Sequence, residues 1–360
     1  MKKLFCIIIF VATLFSCSET VVNGQYTMLP LSNTKHTKID CKNCFSPVEV
    51  TPLTETTNIH YRVIKKVESF NNYNYILCNN SKNILVVVNH EGKVVKEIGR
   101  WGNGHGEHGQ INDFCIDRKN KRVLMLCANS RILLYSLSGK FLSEKNLSPS
   151  VFGNIACIDG NILCTTNHQT FTDGEQAYLF YVFDGKFNLL NKHTNVLPDY
   201  MGMFSLLTSP FKVLNDTFIY SDFYTHRIYV LDKKGEVQQT YTYNENHLMP
   251  SKLFKDYDLF TENQFKYDFI LDNIVMNDTI LTIYKHNRQI RLCLNRRTGE
   301  GIMDFPIMGT IPKLYMTDGK SILSVNTIEE LEKSGVVDSS KTTNAYLYLV
   351  KYNLNINPNI

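Results

Sequence analysis

Hydrophobic residues along the chain fall in short runs punctuated by Asn, Asp and Gly, and one order of runs and turns recurs six times. Each copy has an apolar run ending at Asp or Asn, a tight turn, a second apolar run, a polar stretch, and a third run rich in Ile, Leu, Val and Tyr. The first turns stand at Asn71-Asn72, Asp117, Asp159, Asn215-Asp216, Asn277-Asp278 and Asp318-Gly319, at intervals of 45, 42, 57, 62 and 40 residues. A four-stranded propeller blade takes about 40 to 50 residues, so three intervals fit directly and two carry insertions.

Second runs begin at Tyr75, Val123, Ile162, Phe218, Ile280 and Ile322, and third runs at Ile84, Ile132, Leu179, Ile228, Ile290 and Tyr346. Four third runs lead into Gly92-Lys93, Gly139-Lys140, Gly185-Lys186 and Gly235-Glu236, and a fifth reaches Gly299-Glu300. Glycine suits such a hairpin because tight turns demand a positive φ. The pattern predicts an all-β fold, a six-bladed β-propeller of four-stranded antiparallel blades over residues 45–360. A pair of two-sheet sandwiches would leave the sixfold repetition unexplained. Ser46 to Leu53, with Val48 and Val50 alternating against polar neighbours, is the candidate strand that closes the ring on the last blade.

The N-terminus departs from this grammar. Met1, Lys2 and Lys3 precede an apolar run from Leu4 to Phe15, too short to span a bilayer, then Ser16 and Cys17,. Leu14-Phe15-Ser16-Cys17 resembles the lipobox of bacterial lipoproteins. That resemblance implies a signal peptide over 1–16, acylation of the Cys17 sulfur, and a lipidated tether over 17–44. Several acyl chains, at about 0.8 kcal/mol per buried methylene, would hold the protein to a membrane. The expected location is the cell envelope outside the cytoplasm, at the outer membrane.

The 360 residues are 43% hydrophobic and 20% charged, a globular rather than disordered composition,. Removing Lys2 and Lys3 lowers the formal charge from +4 to +2. That value, without a clustered basic stretch, argues against nucleic acid as a partner. Cys78, Cys115, Cys127, Cys157, Cys164 and Cys293 lie in apolar runs and read as buried hydrophobes,. Cys41 and Cys44 form a lone CxxC that lacks the second pair a zinc ribbon needs, so a local disulfide or two free thiols is the plainer reading.

Glu97-Ile98-Gly99-Arg100-Trp101-Gly102-Asn103-Gly104-His105-Gly106-Glu107-His108 resembles the glycine-rich link between blades in NHL-like six-bladed propeller lipoproteins. His105 stands where that pattern has proline, and His108 where it has an aromatic residue. The resemblance continues through Ile111 to Phe141. It implies an envelope propeller acting as a binding or scaffold module, while leaving open the enzymes of the NHL class that use a central metal. No phosphate-loop reading fits the glycines, because a strand rather than a helix follows.

His168, His226 and His286 each follow the second run of a repeat, and with His105 and His108 they are expected to rim one face. Imidazole is a common metal ligand, but repeats also reproduce their polar turns, and no matching carboxylate set is visible. No metal or other cofactor is therefore assigned. Arg131, Arg227 and Arg288 recur near the start of third runs, where arginine braces loops through paired hydrogen bonds. Ligand-contact candidates are Trp101, His105, His108, His168, His226, His286, Arg131 and Arg227.

Two insertions add aromatic residues: 193–211, with Tyr200, Met201, Met203 and Phe204, and 241–270, with Tyr241, Tyr243, Phe254, Tyr257, Phe260, Phe265, Tyr267 and Phe269. Exposed, these residues would grip a sugar or partner; buried, they would only cap the propeller. The expected function is non-enzymatic binding or scaffolding of a glycan, peptide or envelope protein. The alternative is a metal-assisted hydrolase or lyase on the histidine-bearing face.

Overall fold

The structure, a computed structural model, describes residues 25–31, 45–55, 61, 63–79, 82–169, 177–196, 210–243, 247–286, 289–306, 313–334, 336 and 345–354. Among them, six small sheets follow one another around a ring, and the six-bladed propeller is as the repeat predicts. Blade one comprises the strands Ile64–Phe70, Tyr73–Asn79, Asn83–Val88 and Val94–Ile98, ordered from axis to rim. Blades two to five repeat that order from Ile111, Asn154, Phe211 and Phe269.

The first hairpins are tight because their residues accept left-handed backbone. Asn71 and Asn72 adopt φ of 50° and 61° between the paired Phe70 and Tyr73. Asn and Asp tolerate this conformation by bonding locally, which is why polar residues punctuate the repeat there. Gly92 has φ +78°, and an added Cβ would lie 1.7 Å from the Pro52 carbonyl oxygen. That turn of blade one must therefore be glycine to pack against blade six.

Blade six joins the two ends of the chain. Its strands Lys313–Thr317, Ser321–Thr327 and Leu347–Leu354 are completed at the rim by Phe45–Leu53, antiparallel to the last, with Leu53 opposite Leu347. The closing strand read from Ser46 to Leu53 is thus in place, one residue longer at its start. Apolar side chains from facing blades meet at each seam: Leu77, Leu85, Phe114 and Met125 between blades one and two, Leu53, Val67, Val86 and Leu349 between six and one. The six strand cysteines are buried within these seams or sheets. Burial pushes the Cys127 thiol up to about 11 and the Cys78 thiol up to about 12, so both stay protonated and unreactive. Cys17, Cys41 and Cys44 lie outside the described residues.

Within the segment expected to be tether, the structure places a strand. Gln25–Leu29 adds to the outer edge of blade four, parallel to Val237–Tyr243. Leu29 and Leu31 are buried between blades four and five beside Ile228, Val275 and Ile280, each contributing about 2 kcal/mol by burial. Tyr284 Oη donates to the Leu31 carbonyl at 3.0 Å, and Cys293 Sγ to that of Pro30 at 3.4 Å. No described helix is long and apolar enough to cross a membrane.

Candidate functional site

The first-hairpin turns of all six blades emerge on one face, around the axis. A cavity of about 420 Å³ opens there, lined by Ser69, Arg118, Asn215, Thr317, Asp318 and Lys351 over an apolar floor. Beside it a groove of about 530 Å³ runs outward between blades six and one, past Asn71, Asn72, Tyr73, Asn74, His90 and Glu49. Both are lined by Ser69, Leu323 and Lys351, so they form one continuous depression. Arg118 is held over the Phe70 ring at 5.6 Å and donates to the Ser69 carbonyl at 3.3 Å. Lys351 Nζ meets Asp318 Oδ2 at 2.9 Å. Amides, hydroxyls and ionisable groups line the outer groove, Val213, Met316, Ile322 and Leu323 add apolar surface to the inner cavity, and Tyr73 is 42% exposed.

Deeper along the axis, charged residues of the innermost strands pair across blades. Lys66 Nζ lies 3.0 Å from Asp113 and 3.2 Å from Glu68, and donates to the Phe114 carbonyl at 2.7 Å. Asp113 Oδ2 accepts the Ile155 amide of blade three at 3.0 Å. Across the ring, Lys212 of blade four meets Asp272 of blade five at 2.9 Å and donates to the Asn273 carbonyl at 2.7 Å. Burial opposes the charge on Lys66, but Asp113 and Glu68 outweigh it and hold the ammonium above its usual range. Burial raises the Glu68 and Asp272 carboxyls despite their lysine neighbours. Lys66, Asp113 and Asp272 each follow a register shift in the inner strand. The sequence reading gave these charges no role, and the signal was a charge inside an apolar run at the same place in several repeats.

The histidines do not gather. His168 is buried, its Nε2 2.9 Å from Asp222 Oδ2 in the next blade. Burial alone would raise that carboxyl, but His168, Thr225 and the Tyr224 amide bring it below its usual range. His226 Nε2 faces the Met249 carbonyl at 3.1 Å, and burial pushes this imidazole down to about 4. His286 Nδ1 meets Asp268 at 2.7 Å. Each imidazole ties the end of its blade's second strand to a different segment, later in the chain for His168 and His226 and earlier for His286. Among the described residues, no three His, Cys, Asp or Glu converge in a metal-binding arrangement.

The glycine-rich link folds around Glu107, which accepts the Gly104 amide at 2.8 Å and Arg100 Nε at 2.9 Å. His108 is buried and its imidazole is pushed down, chiefly by burial; its ring meets Trp101 edge-on at 6.2 Å. Trp101 is 39% exposed, and the exposed His105 packs against Phe141 at 4.8 Å. Arg131 donates to the Glu107 carbonyl at 2.7 Å, the bracing role read for it, and Arg227 bonds the Tyr229 side chain. Arg288 and the aromatic and methionine residues at 200–204 lie outside the described residues.

In the second insertion most aromatics are buried. Phe254, Phe260 and Phe269 join Phe223, Tyr224 and Met249 in an apolar cap around the helix Tyr257–Asn263, while Tyr257 and Phe265 stay exposed. Tyr243 is buried too, its hydroxyl donating to Asn273 at 2.6 Å. This segment therefore completes a core more than it offers a gripping surface.

The fold and depression define a six-bladed propeller with a polar cleft on its first-hairpin face. The chain belongs to the family described as "Domain of unknown function (DUF4934)", whose model matches residues 27–356. Among solved structures it is similar to a Bacteroides fragilis protein predicted to be exported, at 15% identity and TM-score 0.74, covering 92% of this chain and 100% of that one. It is also similar to a Bacteroides vulgatus member of the DUF4221 family, at 10% identity and TM-score 0.56, covering 87% and 99%. These likenesses show the fold. No curated protein matches the sequence.

Proposed function

We propose that this chain is an envelope lipoprotein, acylated at Cys17, that binds a glycan in the cleft between blades six and one without chemically altering it. The observation that carries the reading is the composition of that cleft. Asn71, Asn72, Asn74, His90, Glu49 and Ser69 surround the partly exposed Tyr73. Planar amides and carboxylates match vicinal hydroxyls, and an aromatic face stacks on the apolar face of a sugar ring. Anchoring at the outer membrane rests on the N-terminal lipobox resemblance, and similarity to a propeller predicted to be exported supports it. The kinship with NHL-like lipoproteins rests on the glycine-rich link at 97–108. The dispersed histidines favour this reading over a metal-assisted hydrolase or lyase.

A glycan array followed by calorimetry on the mature protein tests it. Tyr73→Ala is expected to weaken binding about tenfold, the effect of losing about 1.4 kcal/mol of stacking. Failure to bind any glycan, or undiminished affinity in Tyr73→Ala, would remove the proposal.

A further inference from the structure

Building on the anchoring proposed above, we infer that the propeller stands edge-on, with the rim of blades three and four seated in the bilayer interface and the outer groove of the polar cleft, between blades six and one, on the side away from it. The first support is the docked N-terminal strand. Its position on the outer edge of blade four fixes where the chain leaves the ring. Gln25 is eight positions after Cys17, so the acylated residue lies at most about 28 Å from that edge.

Four strands spaced about 4.8 Å apart on either side of the axis make a disc about 45 Å across. Blade one is diametrically opposite blade four, and blade six is opposite blade three. Seating the rim of blades one and six in the bilayer instead would require a leash longer than the disc is wide. The seven linking residues do not reach.

The second support lies on the rim itself. Tyr26 and Met28 are each 50% exposed on the added strand, and Leu189 and Leu190 are 48% and 56% exposed at the start of the outermost strand of blade three. The turn residues Lys186 and Lys234 are exposed beside them. Apolar and aromatic side chains next to long cations suit the headgroup boundary, where stems bury and ammonium groups reach phosphate. The occupant of this rim is accordingly the lipid surface that holds the anchor.

The chain's single tryptophan provides the test, because Trp101 sits in the link between blades one and two, on the distal half. Acylated full-length protein is reconstituted into phosphatidylcholine vesicles with brominated acyl chains, which quench nearby indoles. Trp101 is expected to keep its unbrominated intensity, whereas Leu190→Trp in a Trp101→Phe background loses several-fold. Thermal melts verify that the variant folds, and Leu189→Trp replaces it if it does not. Equal quenching at both positions, or none at either in protein that floats with the vesicles, overturns the orientation alone. An unacylated N-terminus with no flotation overturns the anchoring reading and this inference with it.

Discussion

Lys66 of blade one and Asp113 of blade two stand 3.0 Å apart, with 7% and 4% of their side chains exposed, and together they staple two neighbouring inner strands near the axis. Glu68 flanks the pair, and Asp113 reaches on to the Ile155 amide. Three blades thus share one buried charge network. Truncating one partner of such a pair costs about 3 to 5 kcal/mol, because the remaining charge stays buried without compensation.

Lys66→Met is therefore expected to destabilise the protein by about 3 to 5 kcal/mol, read as a lower urea midpoint with unchanged slope. Adding Asp113→Asn should recover part of the loss, since one buried charge is then removed. A single mutant within about 0.5 kcal/mol of the parent would place the network outside the terms that hold the ring together.

His226 gives the protein a weakness toward acid. Its folded-state value is about 4, against about 6.5 in an unfolded chain. Below 6.5 the unfolded state binds the extra proton first, so stability is full above that pH and falls as pH drops toward 4. The loss approaches about 3 kcal/mol for this buried imidazole. Replacing His226 with Gln should flatten the stability curve between pH 6.5 and 4, followed by urea titration at stepped pH. An unchanged slope would assign the acid sensitivity elsewhere.

The closing strand and the rim strand should differ in importance. Deleting residues 45–55 removes the rim strand of blade six and the seam residue Leu53, and is expected to abolish cooperative unfolding. Trimming through Leu31 strips only the fifth strand of blade four and should leave a cooperative transition at a lower temperature. Calorimetry on both truncations decides, and a 45–55 deletion that melts like the parent would disprove the closure.

Repeat and turn chemistry made the architecture readable. Asn71-Asn72 and Gly92 announce left-handed backbone locally, and the apolar run to Leu53 announces an edge strand, although its buried residues are Thr51 and Leu53 while Val48 is exposed at a register shift. The strand at Gln25–Leu29 carries no such mark, because its partner Val237–Tyr243 lies far along the chain and dictates nothing about local spacing. The cleft was equally hidden. Its walls pair Asn72 with Lys351, from opposite ends of the sequence. The histidines recur at loop ends as read, but whether each imidazole meets a carbonyl or a carboxylate depends on a segment distant in the chain, as Met249, Asp222 and Asp268 show.

Because Phe45 pairs with Leu354, the ring cannot shut until the strand that ends at Leu354 has been made. Until then the Phe45–Leu53 strand is an unpaired edge, open to aggregation or to pairing with a neighbouring molecule. Closure of such a propeller is a late zippering step whose rate is governed by loop-closure entropy.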